Sequence, residues 1–248
     1  MPDNKLSVSH QGHRQRMKER LLRDGLESFQ EHEVMEMLLY YALPYKDTND
    51  LGHVLVDRFG SLNNVLNAHY ADLIKVKGIT PHMAHLITLS GQLARRYMRQ
   101  SYELGELLYN TEKLANCAIP HFVGEKNECV LLISMDNKRK LLNTTRIFEG
   151  SVNSAQFNFR MAVQQALQDN ATQVVLSHNH PNGLAIPSRD DLITTRRFAE
   201  VLQLMGIKLV DHIIVAENDA TSMADSVPFA PYLDPNTPLE LLKVADEM

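Results

Sequence analysis

Between residues 10 and 100 the apolar positions keep helical spacing. Arg14 to Leu22 is amphipathic, and Glu33 to Leu43 follows it until Pro44 stops the helix. Asn49 to Phe59 ends at Gly60, and Leu62 to Ala68 is short. The run 71–78 leads into a last helix over Pro81 to Arg99. Residues 100–110 show no clear period and read as a link between halves. After Thr111 the pattern changes. Cys129–Met135 reads as a strand, Asp136-Asn137-Lys138 as a turn, and Lys140 to Glu149 as a partner strand. Phe157 to Gln168 is helical, with Phe159, Ala162, Val163, Ala166 and Leu167 on one face. A short apolar run, 173–177, reads as a buried strand. The helix 189–205 turns Leu192, Ile193, Ala199, Val201, Leu202 and Met205 inward and stops at Gly206, and Lys208–Ala216 is a further strand. This β-β-α-β-α-β order predicts an α/β fold, a mixed sheet covered by helices, behind a separate all-α domain. The expected division is 1–100 all-helical, 101–110 linker, 111–228 sheet domain and 229–248 tail.

Composition narrows the class. Hydrophobic residues make up 44 % of the 248, with no low-complexity tract, which suits an ordered protein. The longest apolar patch, around Val34 to Tyr45, is broken by Glu36 and Pro44 and is too short to span a membrane. The N-terminus lacks an apolar export segment, and only Cys117 and Cys129 are thiols, so the expectation is a cytoplasmic protein with reduced cysteines. Residues 1–100 carry 13 Lys and Arg against 11 Asp and Glu, whereas the remainder carries 12 against 19. The basic clusters at 13–20 and 95–99 read as solvated helix faces and do not by themselves establish nucleic-acid binding.

The chemistry concentrates in 177–191, Ser-His-Asn-His-Pro-Asn-Gly-Leu-Ala-Ile-Pro-Ser-Arg-Asp-Asp, which has the form H-x-H-x7-S-x-x-D. His178, His180 and Asp191 are natural ligands for one divalent metal, and three such ligands leave a fourth position for water. On a strand His178 and His180 share a face, and Pro181-Asn182-Gly183 ends the strand. Ser188-x-x-Asp191 also has the form of a helix-start capping box, which is compatible with metal binding. Asn179 and Asn182 read as turn residues. His212 reads as a core histidine, with support of a metal shell as the alternative.

That motif resembles the metal motif of the JAMM (MPN-plus) metalloproteases, and its wording is closer still to the bacterial RadC proteins. The likeness extends to 12–22 (Gly-His-Arg-Gln-Arg-Met-Lys-Glu-Arg-Leu-Leu), 32–39 (His-Glu-Val-Met-Glu-Met-Leu-Leu), Lys46-Asp-Thr-Asn, Arg58-Phe-Gly-Ser-Leu and Asp211-His-Ile-Ile-Val. The resemblance implies a cytidine-deaminase-like sheet domain, one Zn2+ per chain, and hydrolysis of peptide or isopeptide bonds. It implies Glu128, directly before the first sheet strand, as general base, with Glu125 as a nearby competitor. Ser188 then has a second role as donor to an oxyanion. The piece Val76-Lys-Gly78-Ile-Thr80-Pro-His-Met-Ala84 resembles a helix-hairpin-helix, a motif that presents backbone N–H groups to DNA phosphate, but Thr80 stands where the motif has its second glycine. Binding of DNA through residues 1–100 and a link to DNA repair accompany the family name. Two other readings stay open: a metal-dependent nuclease, and a binding module with a structural metal.

Overall fold

The computed structural model describes residues 5–44, 46–99, 104–149, 157–181, 183–217, 219–238, 240 and 242. The chain divides into two compact units, Met1–Arg96 and Tyr97–Met248.

The first unit is all-helical: α1 (Lys5–Asp24), α2 (Glu31–Leu39), α3 (Asn49–Phe59), α4 (Leu62–Leu66), α5 (Tyr70–Leu73) and the start of α6 (Pro81–Arg99). Met35, Leu39, Leu55, Val65, Leu73, Val76, Met83 and Ile87 form its core. Two glycines permit close helix approach. A Cβ on Gly52 would lie 2.5 Å from the His32 carbonyl oxygen, and one on Gly91 would lie 2.2 Å from that of Leu66. Three of the family-like segments, 12–22, 32–39 and 46–49, meet at a buried carboxylate, Glu36. It accepts from Tyr40 Oη at 2.5 Å and Asn49 Nδ2 at 2.8 Å, and pairs with His13 Nε2 at 3.1 Å. Burial and the Glu36 charge together push the Tyr40 phenol well up. At the hairpin, Gly78 takes φ +94°. Thr80 instead serves α6: its hydroxyl accepts from Met83 N at 3.3 Å, and its own N–H points at Met83 Sδ, also at 3.3 Å.

The second unit is α/β. Its elements are α7 (Thr111–Ala118), β1 (Cys129–Met135), β2 (Leu141–Glu149), α8 (Phe159–Gln168), β3 (Gln173–Asn179), α9 (Arg189–Leu204), β4 (Lys208–Ala216) and β5 (Asp219–Ser222). The sheet order is β2-β1-β3-β4-β5; β3 and β4 run parallel and every other pair antiparallel. β1 is buried along its whole length because both sheet faces are covered there. On one face Val130, Leu132, Val174 and Leu176 pack with Ala162 and Ala166 of α8 and Phe198, Ala199 and Leu202 of α9. On the other, Leu131, Ile133, Val175 and Ile213 pack with Leu114, Cys117 and Ala118 of α7.

Several sequence expectations change. Helix α7 and strand β5 are additions. Leu167 and Met205, expected on inward faces, are about half exposed; Leu167 lies in the last turn of α8 and Met205 is the C-cap of α9, at helix ends. Residues 100–103 of the expected linker lie outside the described residues, but 104–110 belong to the sheet unit. Gly105 N donates to Leu141 O at 2.7 Å, Leu107 bridges to Lys140, and Leu108 is fully buried. The early part of the expected tail is also packed. Tyr232 is buried against Leu192, Ile214 and Met223, and Arg196 of α9 donates to the carbonyls of Asp234, Pro235 and Thr237. Among the described residues no helix is long and apolar enough to cross a membrane.

Candidate metal centre

The centre sits at the C-terminal end of β3, a central strand whose apolar residues hold it in the sheet. Register pairs Val130 with His178 and Leu132 with Leu176, so His178 lies on the face covered by α8 and α9. Continuing that antiparallel register sets residue 128 opposite residue 180. His180, just past the strand, is held by its own N–H donating to Val215 O at 2.8 Å. Gly183 N returns to the His180 carbonyl at 3.2 Å, forming the expected turn; Asn182 lies outside the described residues.

Asp191 comes from the first turn of α9. Ser188 caps that helix: its Oγ accepts from Asp191 N at 3.2 Å, while Asp191 Oδ2 accepts from Ser188 N at 2.8 Å and from Ser188 Oγ at 2.6 Å. The cap therefore aims the carboxylate. His178 Nε2 lies 3.1 Å from Asp191 Oδ1, His180 Nε2 3.5 Å from Asp191 Oδ2, and the two Nε2 atoms are 2.8 Å apart. All three ligand atoms fall within 4.8 Å of one another, with His178 and Asp191 buried and His180 half-buried. Burial opposes ionisation of Asp191, but the adjacent His178 and His180 rings outweigh it and hold the carboxyl far below the usual range. His180 is shifted up, chiefly by its hydrogen bond with Asp191; burial opposes this, and the Leu184 carbonyl and the Glu128 charge add to it.

Two imidazole nitrogens and a carboxylate oxygen converge on one point, where a bound cation would satisfy all three. The donor set suits zinc held by three protein ligands. Residues 108–227 match the family described as RadC-like JAB domain. A UPF0758 protein of Acinetobacter baylyi is 32 % identical over 221 residues, spanning 88 % of this chain and 81 % of that protein. The chain belongs to the RadC family. The RadC-like JAB region includes every residue of the cluster.

Sequence reasoning placed His178, His180, Asp191 and Ser188 in one cluster, and the fold brings all four together. Glu128 is half-buried directly before β1, near enough for its charge to act on His180. Glu125 pairs with Arg146 Nη2 at 2.6 Å.

Three further residues belong here. Asn179, expected in the turn, is buried in β3. Its Oδ1 accepts from Cys129 N at 2.7 Å and its Nδ2 donates to Asn127 O at 3.1 Å, so it grips the chain on both sides of Glu128. The strand position directly between two candidate ligand histidines was the available signal. His212, fully buried, stands 2.8 Å from His178 Nδ1 through its Nε2; burial pushes its pKa down to about 3. Thr195 Oγ1 lies 2.6 Å from His212 Nδ1 and donates to Asp191 O at 2.6 Å. Nothing in the local sequence marks Thr195.

Proposed function

We propose that this RadC-family chain is a zinc-dependent hydrolase of the JAMM metallopeptidase type, acting on peptide or isopeptide bonds in a reducing, cytoplasmic setting. The observation that carries the reading is the convergence of His178, His180 and Asp191 beside a glutamate whose flanking backbone is clamped to the same strand. His178 and His180 through Nε2 and Asp191 through its carboxylate would hold the ion. Zinc, when bound, supplies Lewis acidity, polarising a scissile carbonyl and easing ionisation of water. Glu128 accepts the proton of the attacking water and returns it to the leaving nitrogen as the C–N bond breaks. Asn179 keeps Glu128 opposite His180. Ser188 holds Asp191 in place; donation to an oxyanion requires its hydroxyl to leave Asp191 Oδ2 for the substrate.

A nuclease reading is less well supported. Two-metal phosphodiester chemistry calls for several carboxylates, and the cluster holds one among the described residues. DNA association through residues 1–100 is a separate proposal. The hairpin at Gly78 favours it, and the Thr80 N–H directed at Met83 Sδ weakens it. The hydrolase reading is tested by Glu128→Gln, which keeps size and removes charge. The variant should retain zinc and fold while turnover of a cleavable peptide or isopeptide panel falls at least ~10²-fold. Full turnover with zinc bound would remove Glu128 from the mechanism.

A further inference from the structure

We propose that Thr195 and His212 form a positioning relay that fixes which nitrogen of His178 carries a proton, and so couples the metal site to the first turns of α9. The proposal rests on the reading of His178 as a zinc ligand. The directions of the hydrogen bonds follow from one end. The Asp191 carbonyl only accepts, so the Thr195 hydroxyl spends its proton there, at 2.6 Å. Its remaining short contact, 2.6 Å to His212 Nδ1, is then an N–H donated by the imidazole. His212 is fully buried, its side-chain hydrogen bonds go to Thr195 and His178, and no carboxylate is among them. It is therefore a neutral ring with its lone pair on Nε2. The 2.8 Å contact between that nitrogen and His178 Nδ1 needs one proton, which must sit on His178 Nδ1. His178 Nε2 is left with its lone pair facing His180 and Asp191.

The relay closes on itself. It starts at the backbone of one proposed ligand, Asp191, crosses α9 and β4, and ends on another, His178 on β3. His180 is oriented independently, its Nδ1 donating to Leu184 O at 2.9 Å. The partners behind a metal-binding histidine typically change metal affinity by 10–100-fold when removed. Here the effect should extend to a residue two bonds away from the ligand.

The test uses the full chain and needs no substrate. Zinc affinity is measured by competition with a chromophoric chelator for wild type, Thr195→Val and Thr195→Ser. Thr195→Val has nearly the same volume but no hydroxyl, and should bind zinc ~10–100-fold more weakly. Thr195→Ser keeps the hydroxyl and should bind within about threefold of wild type, a rescue that a packing role would not give. Long-range 1H–15N spectra of the zinc-free protein read the tautomer directly. His178 should carry its proton on Nδ1 in wild type and Thr195→Ser, and as a mixture in Thr195→Val. The pair His212→Gln, whose carbonyl oxygen still accepts from His178, and His212→Leu, which cannot accept, repeats the comparison at the next link, and decides the matter if Thr195→Val does not fold. Equal zinc affinity and an unchanged His178 tautomer in Thr195→Val or His212→Leu would overturn the relay while leaving the zinc site standing. Failure of the wild type to bind zinc would instead overturn the metal reading, and the tautomer spectra would still judge the relay.

Discussion

Replacing Asn179 by alanine should loosen the segment that carries Glu128 without removing any proposed metal ligand. The side chain is buried and makes two hydrogen bonds across strands, accepting from Cys129 N at 2.7 Å and donating to Asn127 O at 3.1 Å. Each such bond contributes about 0.5–1.5 kcal/mol net, and stripping a buried amide of its acceptor costs about 1–3 kcal/mol. A local destabilisation of about 2–3 kcal/mol follows for the start of β1, since the rest of the strand keeps its ladder with β2 and β3. Amide hydrogen exchange at Cys129 reads this directly. At about 1.4 kcal/mol per factor of ten, exchange should accelerate roughly 30- to 150-fold. Amides in the middle of β1, such as Leu132, should change far less, and zinc affinity should stay near that of wild type. Unchanged exchange at Cys129 in Asn179→Ala would refute the clamp and return Asn179 to a residue that serves only the turn. Equal acceleration along all of β1 would mean that the side chain supports the sheet as a whole.

Other outcomes follow from the same structure. Gly91→Ala should destabilise the helical unit by about 1–3 kcal/mol, because the new Cβ meets backbone of α4 and cannot be relieved by a side-chain rotation; urea unfolding followed by helical circular dichroism would show it, and a stabilised variant would contradict the close approach. Arg196→Ala should release the 234–237 segment from α9, raising proteolysis there while leaving zinc content unchanged; undiminished protection would assign the anchoring to the remaining contacts, Tyr232 in its apolar cluster and Gln203 to Asn236. If the helical unit binds DNA through phosphate, binding of the full chain to a duplex should weaken steeply with salt, and Lys77→Ala, an exposed hairpin residue, should reduce the slope by about one; salt-independent or absent binding would remove DNA from the account.

The sequence was most legible where one physical signal dominated. The apolar runs of β1 and β3 mark strands buried on both faces, and the Ser188–Asp191 spacing marks a helix start that is also a proposed ligand position. Gly206, at φ +72°, ends its helix as its position suggested. What was not legible depends on partners distant in sequence. β5 is four residues, Asp-Ala-Thr-Ser, with one buried side chain; it is a strand because β4 offers it an edge. Helix α7 did carry signals, an Asn110 cap accepting from Lys113 N and apolar positions at Leu114, Cys117 and Ala118, but it is short and follows a stretch without periodicity. Asn179 looked like turn chemistry because an asparagine beside Pro-Asn-Gly usually is; its partners lie about 50 residues earlier. His212 and Thr195 acquire their roles only when β4 and α9 flank β3.

Zinc content tests the central claim most directly. The protein is loaded with a slight excess of zinc, dialysed, and analysed for metal beside His178→Ala, His180→Ala and Asp191→Ala, with folding of each checked by circular dichroism. The account predicts one zinc per wild-type chain and none retained by any of the three folded variants. Wild type without zinc, or variants that keep as much as wild type, would contradict it.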